Sequence, residues 1–407
     1  MTISVWFGAD HDNGSTGQRT IEVDLAIVGG GIIGAAAAYF ARKLARPGQD
    51  LKIAVLEGKR VAGGTSGRSA GFVLRGIHAY YNSCVSRYGR AQARYIYEFG
   101  EENQRLIREF VSDNAADFDM VECGSYILAS SLEEFDHLFA SVELMKEDGF
   151  KLDLHHDDPL DRGFYGAIFN PGDFGINPLK LVRALLSAAD CELYEEESVL
   201  RLTSAGAKGR VELQTSSMHV LAERVILATN AYSPLFEPFF LDKVNAVRGQ
   251  MLATAPLKKK LLKQLCYANY GFEYFRQLPD LRLLVGGCRQ LFPDEEVGYG
   301  DVVTRHLQNS LEHYMKDRFP ELAGCAIDYR WSGIMAFTED GLPLVGELPQ
   351  GKGVFFAVGC NGHGLGYGLN MGKLVVDVAF EGACPGIFKY PRVKTLSPSL
   401  KFDEKGP

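Results

Sequence analysis

Residues 22–28 (EVDLAIV) make a short apolar, β-branched run, the pattern of a strand buried on both faces of a parallel sheet. The turn GGGIIG (29–34) follows directly, and an alanine-rich stretch then runs to Arg46-Pro47-Gly48 with basic residues in its last turn. Those are helix-stop signals, so the chain reads strand, glycine turn, helix. A second apolar run, 51–57 (LKIAVLE), predicts a second strand tipped by Glu57. Residues 93–111 and 132–150 carry helical charge patterning. Residues 172–189 read as a turn and an amphipathic helix, with Asn177 as its cap and Pro178 in its first turn. A strand is expected over 191–202, and residues 243–330 alternate strands with one helix at 302–319.

Composition narrows the class. The 407 residues are 46% hydrophobic and 23% charged, which excludes disorder, collagen and coiled coil. A net charge of −8 without a basic stripe points away from nucleic acid. The eight cysteines form no C-x-x-C pair and no histidine cluster has zinc spacing, so reduced thiols and no metal are expected. The N-terminus lacks a basic region before an apolar core, and the uncharged stretch 25–41 is interrupted by glycines and slightly short for a bilayer. A cytoplasmic protein without an integral membrane segment is therefore the expectation.

The glycines carry the chemistry. Gly29, Gly31 and Gly34 match G-x-G-x-x-G between a strand and a helix. The first permits the tight turn, the second admits a pyrophosphate to the backbone, and the third lets helix and strand pack closely. The helix start, at Ile32 and Ile33, offers free N–H groups and a positive dipole end. Glu57 and Gly58 follow about 20 residues later, where a carboxylate accepts from ribose hydroxyls. The same carboxylate would repel the 2′-phosphate of NADP.

The next segment, 61–76 (VAGGTSGRSAGFVLRG), resembles the loop of the D-amino-acid oxidase superfamily that runs along the FAD pyrophosphate and ribityl chain. Thr65, Ser66, Gly67, Arg68, Ser69, Ala70 and Gly71 suit that place: small residues, hydroxyl donors and one cation. The resemblance extends over about residues 20–390. RWSGIMAFTEDGLPLVGEL (330–348) and GVFFAVGCNGHGLGYGLNMGKLVVDVA (353–379) are similar to the C-terminal signature of the superfamily. It implies an α/β fold with an α+β second part: a Rossmann-like FAD-binding domain (20–89, 166–242, 331–390) interleaved with a substrate domain on an antiparallel or mixed sheet (90–165, 243–330). Residues 1–19 are then an N-terminal lead and 391–407 a tail. The resemblance also places Val199 against the adenine and Thr229 and Asn230 in a loop closing over the cofactor. It puts Gly362, His363, Gly364 and Leu365 at the flavin N1–C2=O edge, where a helix N-terminus stabilises the reduced ring.

Within the superfamily the layout, including the SVWF segment at 4–7, is most similar to the γ-glutamylputrescine oxidoreductases and the glycine oxidases. It departs from the amino-acid-oxidising members at four places. Met335 stands where an arginine would hold a substrate carboxylate, and Gly366 where a lysine would. Ser332-Gly333-Ile334 contains no thiol for covalent attachment, and the run 281–287 has no oxygen-activating lysine. The expectation is noncovalent FAD and oxidation of a C–N bond in a small amine, polyamine-like or γ-glutamyl-amine-like, with O2 or another acceptor taking the electrons. His363, Tyr274 and Met335 are the expected flavin-face residues. Tyr270 and Phe337 would complete an aliphatic–aromatic channel, and Arg75 and Arg289 are alternative anchors for an acid. A D-amino-acid, glycine or sarcosine oxidase or dehydrogenase, and an idle flavin-binding subunit, remain as alternatives.

Overall fold

A computed structural model describes residues 19–46, 50–204 and 209–392, together with residues 2, 4–6 and 48. Most of the N-terminal lead and the tail from 393 onward lie outside the described residues.

The apolar run at 22–28 is the inner part of β1 (Arg19–Val28), and the turn leads into α1 (Ile32–Leu44) and β2 (Ile53–Leu56). These strands belong to a sheet with β8 (Glu192–Tyr194), β9 (Arg201–Thr203), β10 (Val211–Gln214), β11 (Met218–Leu227), β17 (Leu344–Leu348) and β18 (Gly351–Val358). Its main path runs β17-β18-β11-β1-β2-β8, and from β18 to β8 neighbouring strands are parallel. Parallel strands need helical crossovers, which explains why β1 and β2 are apolar on both faces.

The second sheet holds β4 (Ser125–Leu128), β5 (Asp153–His155), β6 (Ala167–Asn170), β12 (Asn245–Thr254), β13 (Leu265–Ala268), β14 (Glu273–Gln277), β15 (Leu283–Gly287) and β16 (Ile327–Phe337). It is ordered β16-β12-β15-β14-β13-β4-β6-β5 and is antiparallel except at β13–β4. A short ribbon joins β3 (Phe72–Val73) to β7 (Phe174–Gly175). Two strands cross the boundaries expected from the sequence. β6 lies after 166 and β16 runs past 331, because both are paired along their length in this second sheet.

The helices are α1, α2 (Tyr81–Tyr88), α3 (Arg90–Ser112), α4 (Leu132–Glu147), α5 (Pro178–Ala189), α6 (Arg305–Arg318) and α7 (Gly364–Glu381). Asn177 caps α5 through its side chain, with Pro178 first in the helix. α7 packs on α1 through missing side chains: a Cβ on Gly372 would lie 2.4 Å from the Ala36 methyl. The strand expected over 191–202 is broken into β8 and β9, since Glu196 turns the chain with φ +60°. No described helix is long and apolar enough to cross a membrane.

Candidate active site

α1 and α7 begin at one cavity of about 540 Å³, walled by Gly31–Ile33 at one helix start and Gly364–Gly366 at the other. Neither first turn contains an acidic residue, so neither helix start is offset by an acidic side chain of its own. The glycines make this possible. Gly29, with φ +110°, abuts the Ala228–Thr229 backbone, and a Cβ on Gly34 would lie 1.9 Å from the Gly29 carbonyl oxygen. A side chain on Gly31 would instead enter the space in front of Ser66.

The 65–71 loop is stitched down from every side. The Ile32 N–H donates to Ser66 Oγ (2.9 Å), Trp331 Nε1 to the Arg68 carbonyl (2.9 Å) and Trp6 Nε1 to the Ser69 carbonyl (2.9 Å). The buried Arg276 guanidinium donates to the Gly71 carbonyl (2.9 Å), and burial lowers its pKa to about 10. Arg68 lines the cavity, but its guanidinium is already engaged by Asp301 (2.8 Å), the Thr2 hydroxyl (2.9 Å) and the Ser332 carbonyl (2.8 Å). Burial raises the Asp301 pKa, yet bonds from Thr2 and Arg68 outweigh it and hold the carboxyl at about 2. Arg68 therefore fixes the loop rather than offering a spare charge.

Glu57 sits at the outer end of this groove, accepting from the Gly30 N–H (2.7 Å) and the Lys59 N–H (2.8 Å). Burial raises its pKa and those two bonds lower it. Gly58 meets Ser198, next to the half-buried Val199, so these residues share one edge beyond the main cavity. Thr229 leads into Asn230, whose Oδ1 accepts from the Gly359 (3.1 Å) and Cys360 (3.1 Å) N–H groups and sets the glycine turn before α7. A groove of bare backbone, two helix starts without acidic first turns and a terminal carboxylate are the donors and acceptor that an FAD would need.

The opposite wall is the second sheet. Alternation brings Val247, Gly249 and Met251 of β12 to one face, opposite Met335, Gly333 and Trp331 of β16 in register. Phe337 lies on the same face. Tyr274 occupies the space left by Gly286, its cross-strand partner, and Tyr267 stacks on Tyr274 at 5.7 Å. His363 and His78 face each other at 6.4 Å. Burial pushes both below the ordinary 6.5, to about 4 and about 3, with His363, Arg87 and Arg289 adding to the effect on His78. The contact between His363 Nδ1 and the Asn361 carbonyl (3.3 Å) assigns the proton to Nδ1 and leaves the Nε2 lone pair open.

Tyr80 and Tyr270 stack at 5.2 Å and form another wall. Glu134, 1% exposed, accepts from the Tyr80 hydroxyl (2.5 Å), the Tyr270 N–H (2.6 Å) and the Ser130 N–H (2.6 Å). Arg289 lies in the cavity between the rings of Phe272 (5.0 Å) and Phe337 (4.9 Å). Arg75 does not join it. Its guanidinium is turned to Glu101 (2.7 Å), Asn170 (2.8 Å) and the Lys151 carbonyl (2.7 Å), beside a separate pocket of about 40 Å³. The expectation for Arg75 as an anchor in this cavity is corrected: the turn after β3 aims it toward α3.

His363, Tyr274, Met335, Tyr270, Phe337 and Arg289 are thus brought together, as are Gly31, Ile32, Ile33, Thr65, Ser66, Ser69, Ala70, Asn230 and 362–365. His78, Tyr80, Tyr267, Arg87 and Glu134 were not foreseen. The triad His78-Ala79-Tyr80, directly after the 61–76 loop, was the available signal for two of them. Gly366 is explained by contact, since a Cβ there would lie 2.5 Å from the Leu74 carbonyl oxygen.

The family model for FAD dependent oxidoreductases (DAO) matches residues 24–378. The chain is 26% identical over 385 residues to the γ-glutamylputrescine oxidoreductase of Escherichia coli, covering 89% of this chain and 84% of that one. It is 28% identical over 382 residues to the glycine oxidase of Geobacillus kaustophilus, covering 88% and 93%. A crystal structure of glycine oxidase from Geobacillus kaustophilus superposes with a TM-score of 0.77 at 24% identity, over 91% of this chain and 99% of the other.

Proposed function

The chain belongs to the FAD dependent oxidoreductase (DAO) family, with FAD as its cofactor, and we propose that it oxidises a linear amine bearing an acidic group remote from the reacting carbon. One observation carries the reading. Arg87 and Arg289 line the substrate end of the cavity, and no carboxylate does among the described residues. A polyammonium chain would leave water with no counter-ion there, whereas an acid-bearing amine finds cations. A γ-glutamyl-amine-like substrate is favoured over a polyamine-like one. Met335 beside Gly249 and Gly362 gives the innermost wall a thioether, which suits an alkyl chain better than an α-carboxylate.

When bound, FAD supplies the two-electron acceptor for the substrate C–H hydride, the nitrogen losing a proton to give an imine that water splits into a carbonyl compound and ammonia or an amine. The chain's own residues position the substrate. His363 Nε2 accepts a hydrogen bond from the substrate nitrogen, and burial keeps the imidazole neutral for it. Tyr267, Tyr274 and the Tyr80–Tyr270 pair exclude water along the alkyl chain. O2 or another acceptor takes the electrons in the second half-reaction.

The test is kcat/KM for an ω-amino carboxylate against a diamine of equal chain length, with glycine and D-alanine alongside. The acid-bearing amine is expected to lead by about tenfold or more, the equivalent of about 1.4 kcal/mol. A faster diamine contradicts the reading, and a lead for glycine or D-alanine replaces it with amino-acid oxidation anchored by Arg289.

A further inference from the structure

We infer that the acidic end of the substrate is held at the cavity mouth by one face of α2, through Ser83, Ser86 and Arg87, making these the specificity-determining residues. The inference rests on the acid-bearing amine proposed above and adds where that acid is read.

Ser83, Ser86 and Arg87 are spaced three and four apart, so they share a helix face, and all three line the cavity. The opposite face is anchored: Tyr81 and Cys84 are buried, and the Tyr81 hydroxyl donates to Asp148 at 2.5 Å. The helix therefore presents its polar face from a fixed base. Ser86 is exposed and Ser83 and Arg87 are half-buried, which places this face at the entrance and not in the interior. Arg87 is steadied by donation to the Glu339 carbonyl (3.2 Å) and by the Tyr88 ring (5.6 Å).

The interior differs in kind. Met251, Tyr267, Tyr274 and Met335 are apolar or aromatic, and His363 is the polar group at the α7 start. His78 stands beside the α7 start, its ring 6.4 Å from that of His363, and the charges of Arg87 and Arg289 both act on it. His363 at the α7 start and the polar face of α2 line the same cavity. An amine placed at His363 with its chain along the tyrosines delivers its far end to α2. There two hydroxyl donors and a guanidinium meet a carboxylate with directed hydrogen bonds, which a terminal ammonium cannot accept. Arg289, over the Phe272 and Phe337 rings on the opposite wall, keeps its in-plane N–H groups and is the competing cation that the experiment separates from Arg87.

The experiment compares an ω-amino carboxylate with its carboxamide, which removes the charge and keeps the shape, using the purified holoenzyme. Wild type favours the carboxylate. Arg87→Glu is expected to lower the carboxylate-to-carboxamide ratio of kcat/KM by at least about tenfold, and Arg87→Lys to restore most of it. Ser83→Ala combined with Ser86→Ala shifts the ratio in the same direction by less, and covers the case in which Arg87→Glu does not fold. A wild-type preference that Arg87→Glu and the double serine variant leave intact, or that only Arg289→Gln removes, overturns the α2 assignment alone. A wild type indifferent to the swap contradicts the acid-bearing substrate itself.

Discussion

Gly34 and Gly31 stand three residues apart and fail differently when replaced. A Cβ on Gly34 meets the Gly29 carbonyl oxygen at 1.9 Å, a backbone clash that forces α1 off the sheet. Gly34→Ala is expected to give little folded protein. At Gly31 the nearest atom is the Ser66 hydroxyl at 3.0 Å, so Gly31→Val folds but fills the space a pyrophosphate needs. Flavin content per folded chain separates the two, and a yellow Gly31→Val protein would remove this turn from the cofactor site. Cys360 is the cysteine among the described lining residues, and burial pushes its thiol up to about 12, which disfavours the thiolate that attachment to a flavin needs. Acid precipitation is expected to release the flavin to the supernatant; colour in the pellet contradicts this. His78 and His363 set a pH dependence. Their pKa values fall from 6.5 to about 3 and about 4, so they stabilise the fold above pH 6.5 and lose that contribution as pH falls toward 4. Tm is expected to drop across that window, and His78→Gln to flatten the drop; an unchanged slope would contradict the assignment. At this scale the sequence was most legible where glycine or a terminal acid has one use. It was least legible where a side chain's direction decides, as for Arg75, which points away from the cavity that Arg289 enters.

The elements show why. α5 was readable because Asn177 and Pro178 are local signals whose partners lie within three residues. The break between β8 and β9 was not, since residues 191–202 have an extended pattern and only Glu196 in a left-handed turn interrupts it. The join between α4 and the tyrosine wall is also invisible locally. Glu134 lies three residues after Ser131, whose hydroxyl accepts the Glu134 N–H in an ordinary cap, but the Glu134 side chain reaches Tyr80 and Tyr270 from distant parts of the chain. Glu134→Ala would leave three partly buried donors without this partner, at up to about 1–3 kcal/mol each. The expected result is a lower Tm and a raised KM for amine with flavin content retained. An unchanged KM would show that the tyrosine pair does not depend on this carboxylate.

Across the whole molecule, the site exists because two sheets of different character meet over one cavity. The parallel sheet delivers backbone and helix starts, and the antiparallel one delivers alternating side chains. The first was legible from glycine spacing and apolar runs. The second was legible as strands, but its face toward the cavity depends on the β12–β16 register, which pairs Gly249 with Gly333 and Val247 with Met335. Even the lead contributes at long range: Thr2 and Trp6 bond to Arg68 and Ser69, contacts that no local pattern announces. The most direct test of the whole account is anaerobic mixing of the purified yellow protein with an ω-amino carboxylate, a diamine of equal length and D-alanine, followed by the flavin absorbance. The ω-amino carboxylate is expected to bleach the flavin fastest, and colour to return when an electron acceptor is admitted. A flavin that stays oxidised with all three, or that the diamine reduces fastest, contradicts it.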